Sequence, residues 1–246
     1  MGGALALCAE AALRAGAGRV SAATRVEHVA VLLSRRPECM VHAVELPSDI
    51  AGLMESADVI AIGPGLGRDA WATSLLDAAL AAQRPLVVDA DALTLIAADP
   101  KLLPSGSLPL NSVITPHPGE AARLLGIETN EVQANRQDVA QSLADRYRCV
   151  AVLKGHGTLV AAAGERTRMV EGGNPGMASA GMGDVLTGIV ASLCAQHHAA
   201  FEAAWIGAAL HAAAGDAVCA TQGEHGLLAS DLVAALPSVF PRRMGG

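Results

Sequence analysis

The sequence predicts an α/β protein in which a mostly parallel sheet lies between layers of helices. Short β-branched runs alternate with Ala- and Leu-rich stretches, the pattern that gives parallel strands joined by crossover helices. Hydrophobic residues make up 52% of the 246 residues and aromatics only 2%. The core is therefore built mainly from Ala, Val, Leu and Ile, which suits closely spaced helices over a buried sheet. No internal repeat or long Pro, Gly or Ser linker appears, and the stretch from Pro100 to Pro109 is too short to separate domains. Residues 1–246 are expected to form a single domain.

Taken in order, the Ala-rich opening of residues 1–15 reads as an amphipathic helix. Strands are expected at Val20–Thr24, Val41–Glu45, Val59–Gly63, Leu86–Asp89, Val113–Thr115 and Val150–Lys154, with helices between them. After Lys154 the pattern changes. Thr158–Ala162 and Thr167–Val170, separated by Gly164-Glu165, read as an antiparallel hairpin that makes one sheet edge mixed. From Asp184 onward, Val185, Leu186, Ile189, Val190, Leu193 and Cys194 recur at helical spacing and predict a mostly buried helix; a second is expected around Ala203–Ala217.

Composition excludes several classes. With 17 basic against 24 acidic residues, a net charge of −7 and no basic run longer than Arg35-Arg36 or Arg242-Arg243, nucleic acid is not an expected partner. The five cysteines are odd in number, widely spaced and without a C-x-x-C pair, so they read as reduced, buried thiols. Charged residues, Gly or Pro interrupt each apolar run before about 18 residues accumulate, so no membrane association is expected. The opening helix lacks the basic start and unbroken apolar run of a signal segment, which predicts a cytoplasmic location.

Five segments can carry chemistry. Gly172 to Asp184 holds five glycines ahead of a long apolar helix. Glycines let backbone amides approach a ligand, and a helix N-terminus adds unpaired donors and partial positive charge, so together they suit a phosphate. Asp184 is placed to take a proton from a substrate hydroxyl, or else it simply caps the helix. Thr115-Pro116-His117-Pro118-Gly119-Glu120 follows a strand, where parallel sheets present ligand crevices; it reads as a site with His117 and Glu120 facing the crevice or as a Pro-stiffened helix start.

Lys154-Gly155-His156-Gly157-Thr158 can grip nucleotide phosphate or ribose, or form an ordinary turn with a solvated lysine. Gly63-Pro64-Gly65-Leu66-Gly67 allows close approach to the backbone but is not the dinucleotide fingerprint. Asp89 and Asp91 either bind magnesium through water or cap the following helix, and capping is the expectation. The other histidines, His28, His42, His197, His198, His211 and His225, show no metal-ligand spacing.

In this order, G-P-G-L-G (63 to 67), V-D-A-D-A-L (88 to 93), T-P-H-P-G-E (115 to 120), K-G-H-G-T (154 to 158) and G-N-P-G-M-A-S-A-G-M-G-D-V-L-T-G (173 to 188) resemble the NAD(P)H-hydrate dehydratase family. Met1 to Leu5, Leu13 to Gly18 and Gly226 to Leu232 resemble it too, so the likeness spans nearly the whole chain.

The resemblance implies a ribokinase-like three-layer αβα sandwich. It also implies a reaction in which ADP or ATP, with Mg2+, phosphorylates the C6 hydroxyl of hydrated NAD(P)H before phosphate is eliminated. It makes Asp184 the base and Gly181, Met182 and Gly183 the anion hole. Lys154, Gly155, His156, Gly157 and Thr158, with Gly183, become the nucleotide contact. Ala4, Gly67, His117 and Asp184 would touch the hydrate, and Glu120 would act on the metal through water.

The family's opening strand and its glycine-rich loop have no counterpart, so a sheet short of its first strand is expected. Met182 stands where the family usually carries a small residue or Thr. Related kinases commonly carry Asn at the position of His117, which favours the dehydratase over a kinase of a thiazole or hydroxymethylpyrimidine alcohol. A nucleotide-binding protein without turnover is the reading of another class. The resemblance further implies a homotetramer and an epimerase domain or partner.

Overall fold

The computed structural model describes residues 1–241, so Arg242-Arg243 lie outside the described residues. The chain runs α1 (Gly2–Arg14), β1 (Ser21–Thr24), α2 (Val26–Arg35), β2 (Met40–Ala43), α3 (Ala51–Ser56), β3 (Ile60–Ile62), α4 (Ala70–Ala81), β4 (Leu86–Val88) and α5 (Ala90–Ala98). It continues through β5 (Val113–Ile114), α6 (Pro118–Leu125), α7 (Thr129–Ala134), α8 (Arg136–Tyr147), β6 (Val150–Leu153), β7 (Thr158–Ala161), β8 (Arg168–Val170), α9 (Met182–Ala195), α10 (Ala200–Gln222) and α11 (Ala229–Val239).

The main sheet has the order β3-β4-β5-β6-β7-β8. Its first four strands are parallel, and β6, β7 and β8 pair antiparallel, as the Gly164-Glu165 turn predicted. Side-chain alternation explains the three layers. Val87, Val113, Val152 and Val160 point to one face, where they meet Leu186 and Val190 of α9 and Phe201, Ala204, Ala208 and Ala212 of α10. Leu86, Val88, Ile114, Ala151, Leu153 and Ala161 point to the other, against α4, α5, α6 and α8. Each such buried Val or Leu contributes about 1.5–3 kcal/mol, which fixes the register of the short strands.

β1 and β2 form a separate parallel pair. They do not pair with the main sheet, and between β1 and β3 lies an apolar cleft of about 260 Å³ roofed by α1. Helix α1 lies against α9 so closely that a Cβ on Gly188 would collide with the Cys8 carbonyl oxygen.

Three expectations are corrected. Most strands stop one or two residues early: Gly63, Asp89, Thr115 and Lys154 stand just past their strands, although the Asp89 and Thr115 amides still donate to the Ile62 and Val88 carbonyls of the neighbouring strands. The helix expected from Asp184 begins at Met182, so Asp184 is its third residue and not its cap; the cap is Gly181 at φ 89°. Finally, α10 has 23 residues and is long and apolar enough, by length and composition, to cross a membrane. Isolated Gly207, Gly215, Glu202 and Asp216 interrupt an apolar run without breaking a helix. Within the fold, α10 is a core helix packed on α9, α11 and the sheet.

Candidate functional site

The loops after β3, β4, β5 and β6 open on the same end of the sheet, where the first turn of α9 also ends, so the five sequence segments converge. Gly63 adopts φ 125° because any Cβ there would overlap the Asp89 carbonyl oxygen; the β3 and β4 loops are thereby pressed together. Asp91 extends that contact by accepting the Gly67 amide at 2.9 Å. The Lys154 amide donates to the Pro116 carbonyl at 2.9 Å, joining the β6 and β5 loops.

At the centre lies a buried charge cluster. The Asp89 side chain is only 1% exposed. One oxygen accepts the Lys154 ammonium at 2.7 Å and the other the Thr187 hydroxyl, from α9, at 2.9 Å. Although Asp89 precedes α5, its side chain makes no capping bond. The expectation of a helix cap is therefore corrected: a buried ammonium is the stronger partner for a carboxylate that has left water. Glu120 reaches the same ammonium at 3.9 Å. Lys154 is mostly buried, so the solvated-lysine reading also falls.

Gly183 belongs to this cluster, since a Cβ there would stand 3.0 Å from the Lys154 ammonium nitrogen and 3.5 Å from an Asp89 oxygen. The amides of Met182, Gly183 and Asp184 open α9 and lack helical acceptors, as first-turn amides do. The first amide to find one is that of Val185, which donates to the Gly181 carbonyl. The Met182 side chain turns into the core beside α1, α10 and α11, so its bulk does not obstruct these amides. His211 of α10 hydrogen-bonds the Met182 carbonyl at 2.9 Å, and burial lowers its pKa to about 4, so the ring is neutral and donates.

Asp184 is pushed up to about 6, first by burial and then by the nearby Asp89 carboxylate, with Lys154 opposing. A carboxylate with such a pKa can accept a proton at neutral pH and hold it better than an ordinary aspartate does. His117 caps α6: its Nδ1 accepts the Gly119 and Glu120 amides at 3.0 and 3.3 Å, and Glu120 returns a bond from the His117 amide at 2.8 Å. Burial leads the causes that lower the His117 pKa. The imidazole therefore carries its proton on Nε2, 3.5 Å from the second Glu120 oxygen and on a half-exposed side chain, while Nδ1 is engaged. The helix-start reading of this motif is met by this capping geometry.

The loop of residues 154–158 is shaped by Arg136, which the sequence did not flag. Its guanidinium donates to the carbonyls of Leu153, Lys154 and Gly157 at 3.2–3.4 Å. A Cβ on Gly155, at φ 139°, would sit 2.9 Å from that guanidinium. The amides of Gly155, His156 and Gly157 have no acceptor among the described residues, an arrangement suited to an anion. His156 itself is exposed, and Thr158 donates to the Gly155 carbonyl at 3.0 Å.

Ala4 lies in the first turn of α1, whose start abuts Gly65 through Met1, and Leu7 of the same helix touches Gly181. The apolar cleft between β1 and β3 shares only its rim, Met1 and Gly63 to Leu66, with this cluster. Among the described residues, no group of three or more His, Cys, Asp or Glu could hold a metal ion alone. Thr187 and Asp216 were also missed; Asp216 ties the glycine loop down through the Gly173 amide and the Asn174 side chain at 2.9 and 3.0 Å.

Comparison with known proteins bears on this site. The carbohydrate-kinase-type family model described as NAD(P)H-hydrate dehydratase matches residues 1–238. The bifunctional NAD(P)H-hydrate repair enzyme Nnr of Coxiella burnetii is 47% identical over 232 residues, 94% of this chain and 46% of that protein. Its Escherichia coli counterpart is 46% identical over 237 residues, 96% and 45%. The chain thus spans about half the length of the curated relatives it matches. Among solved structures, an ADP/ATP-dependent NAD(P)H-hydrate dehydratase from Bacillus subtilis, co-crystallised with ATP/Mg2+, has a TM-score of 0.83 at 29% identity, covering 97% of this chain and 84% of that one. Escherichia coli phosphofructokinase-2, at 18% identity and a TM-score of 0.63 over 94% of this chain and 85% of that one, shares the fold.

Proposed function

Because the chain belongs to the NAD(P)H-hydrate dehydratase family, we propose that it converts (S)-NAD(P)H-hydrate back to NAD(P)H with ADP as the phosphoryl donor. The observation that carries this reading is Asp184, with its pKa of about 6, in the same helical turn as the unpaired amides of residues 182–184. A base and an anion site within one helical turn are what transfer of a phosphoryl group to a hydroxyl needs.

In the proposed reaction the C6 hydroxyl oxygen attacks the terminal phosphorus of ADP, the bond to the bridging oxygen breaks, and AMP leaves. Asp184 takes the hydroxyl proton. Gly181, Met182 and Gly183 line the phosphoryl group, and the Lys154–Thr158 loop holds the nucleotide, with the amides of Gly155, His156 and Gly157 as its backbone donors. Phosphate then departs from C6 as a proton leaves C5, restoring the dihydronicotinamide ring. Hydroxide is a poor leaving group and phosphate a good one, so nucleotide cleavage drives a dehydration with no redox change. Ala4 and Gly67 flank the hydrate, and the Nε2–H of His117 is its hydrogen-bond donor.

Mg2+ would neutralise nucleotide phosphate charge. The donor set suits a magnesium held mainly by phosphates and water, since Glu120 offers one oxygen beyond its capping bond. We assign the whole chain to one catalytic unit acting in the cytoplasm as a homotetramer, with an epimerase activity, fused or separate, supplying the S epimer. Limited proteolysis and sedimentation test the unit and its assembly. The reaction is tested by incubating the protein with the hydrate and ADP or ATP and counting products. AMP and phosphate formed one for one with NAD(P)H support it. A stable phosphorylated alcohol without phosphate release would make the chain a kinase.

A further inference from the structure

We propose that the Lys154 ammonium, and not only the backbone of its loop, is a catalytic donor to the transferring phosphoryl group, with Asp89 and Thr187 as the positioning residues that hold it beside the anion hole. This rests on the reading of the site as a phosphoryl-transfer centre. In sequence terms Lys154 belongs to the nucleotide loop at the end of β6, but its side chain turns away from the rest of that loop. The ammonium lies where a Cβ of Gly183 would be 3.0 Å away, in contact with the middle residue of the first turn of α9. A glycine there lets the ammonium reach the backbone whose amides receive the phosphoryl oxygens.

The position is fixed from below. Asp89 holds the ammonium at 2.7 Å, and the second Asp89 oxygen is held by the Thr187 hydroxyl at 2.9 Å. Thr187 stands one helical turn after Asp184 on α9, so the base and the anchor of the lysine ride on the same helix face. A lysine kept only to neutralise Asp89 has no need to touch the anion hole. One that serves only the nucleotide loop has no need of an anchor on α9. Charge balance points the same way: Asp89 at 2.7 Å and Glu120 at 3.9 Å hold one ammonium, whose charge also opposes the upward shift of the Asp184 pKa. The bond to Asp89 at the bottom of the cluster leaves its remaining N–H bonds to turn toward Gly183. As negative charge moves onto the equatorial phosphoryl oxygens and the leaving oxygen, a donor already in place requires no reorganisation.

The test uses the intact chain with hydrate and nucleotide, reading kcat and KM separately beside nucleotide affinity by calorimetry. Lys154→Met should lower kcat about 100-fold or more while the nucleotide Kd changes less than about fivefold. Because that variant strands Asp89, the double variant Lys154→Met with Asp89→Asn removes both charges, and it should show the same kcat loss. Asp89→Asn and Thr187→Val should each lower kcat about 5- to 50-fold with KM for nucleotide nearly constant, and Thr187→Ser should recover most of the loss. A nucleotide Kd that rises as steeply as kcat falls would make Lys154 a binding contact only and overturn the proposal. So would unchanged kcat in the double variant. If the unaltered chain binds nucleotide but turns over no hydrate, the functional reading fails. The ammonium is then tested by binding of aluminium fluoride in the presence of AMP, a mimic of the transferring phosphoryl group, which Lys154→Met must weaken about tenfold; equal binding overturns the proposal on its own.

Discussion

Replacing Arg136 by Ala should separate nucleotide binding from chemistry. The guanidinium holds three backbone carbonyls of the 153–157 loop and is matched by no carboxylate among the described residues. Hydrogen bonds from a charged donor contribute about 1.5–3 kcal/mol each, and roughly half of that for a partly exposed group. Three such contacts therefore suggest a loss of about 2–4 kcal/mol, which for a chain of this size lowers Tm by about 4–16 °C. The loop, with glycines at 155 and 157, loses the contacts that hold its carbonyls. Ordering it again on binding should raise the nucleotide Kd about 10- to 50-fold, while kcat at saturating nucleotide stays within about threefold. Arg136→Lys should recover little, because one ammonium cannot span three carbonyls. Calorimetric titration with ADP and ATP, beside thermal melts, provides the readout. A variant with native nucleotide affinity, or one whose defect lies wholly in kcat, would refute the idea that Arg136 shapes this loop.

Further outcomes follow from the same geometry. Asp184→Asn should retain nucleotide binding and lose about 1000-fold in kcat, since the base acts in the transition state; turnover near that of the unaltered chain would remove Asp184 from the role. With its pKa raised to about 6, Asp184 is protonated below that value and ionised above it, so kcat/KM should rise with pH through about 6 and then level; a profile already flat from pH 4.5 would contradict the assignment. Gly63→Ala should cost about 3 kcal/mol or more, because φ 125° is strained for alanine and its Cβ would displace the Asp89 backbone; a melt within about 2 °C of the unaltered protein would show that the two loops are not pressed together.

Much of the architecture was legible because buried strands and amphipathic helices leave strong periodic signals. The strand expected from the apolar run Val150–Lys154 is found at Val150–Leu153, and the hairpin expected from Thr158–Ala162 and Thr167–Val170 is found at Thr158–Ala161 and Arg168–Val170. What the pattern missed came from context. The strand ends slipped by a residue or two, and just past two of them the side chains of Asp89 and Lys154 meet, a pairing across 65 residues that no local rule contains. Asp89 was expected to cap a helix because local rules price only the neighbouring amides, while its partner in the fold is a buried ammonium. Arg136 gave no signal, since its acceptors are backbone carbonyls that carry no side-chain signature. Thr187 was within reach: it stands one turn beyond Asp184 as a polar residue on an otherwise apolar helix face. The length of α10 was misjudged because single glycines and acids were counted as breaks, although a helix buried on two sides tolerates both.

The central claim is most directly tested by the near-ultraviolet absorbance of reduced nicotinamide after the purified chain is mixed with NADH-hydrate or NADPH-hydrate, magnesium and ADP or ATP. The account predicts that absorbance returns only when nucleotide is present, faster with ADP, and is lost with Asp184→Asn. Absorbance that stays flat with both nucleotides, while either one raises the melting temperature, would contradict it and leave a nucleotide-binding protein without this turnover.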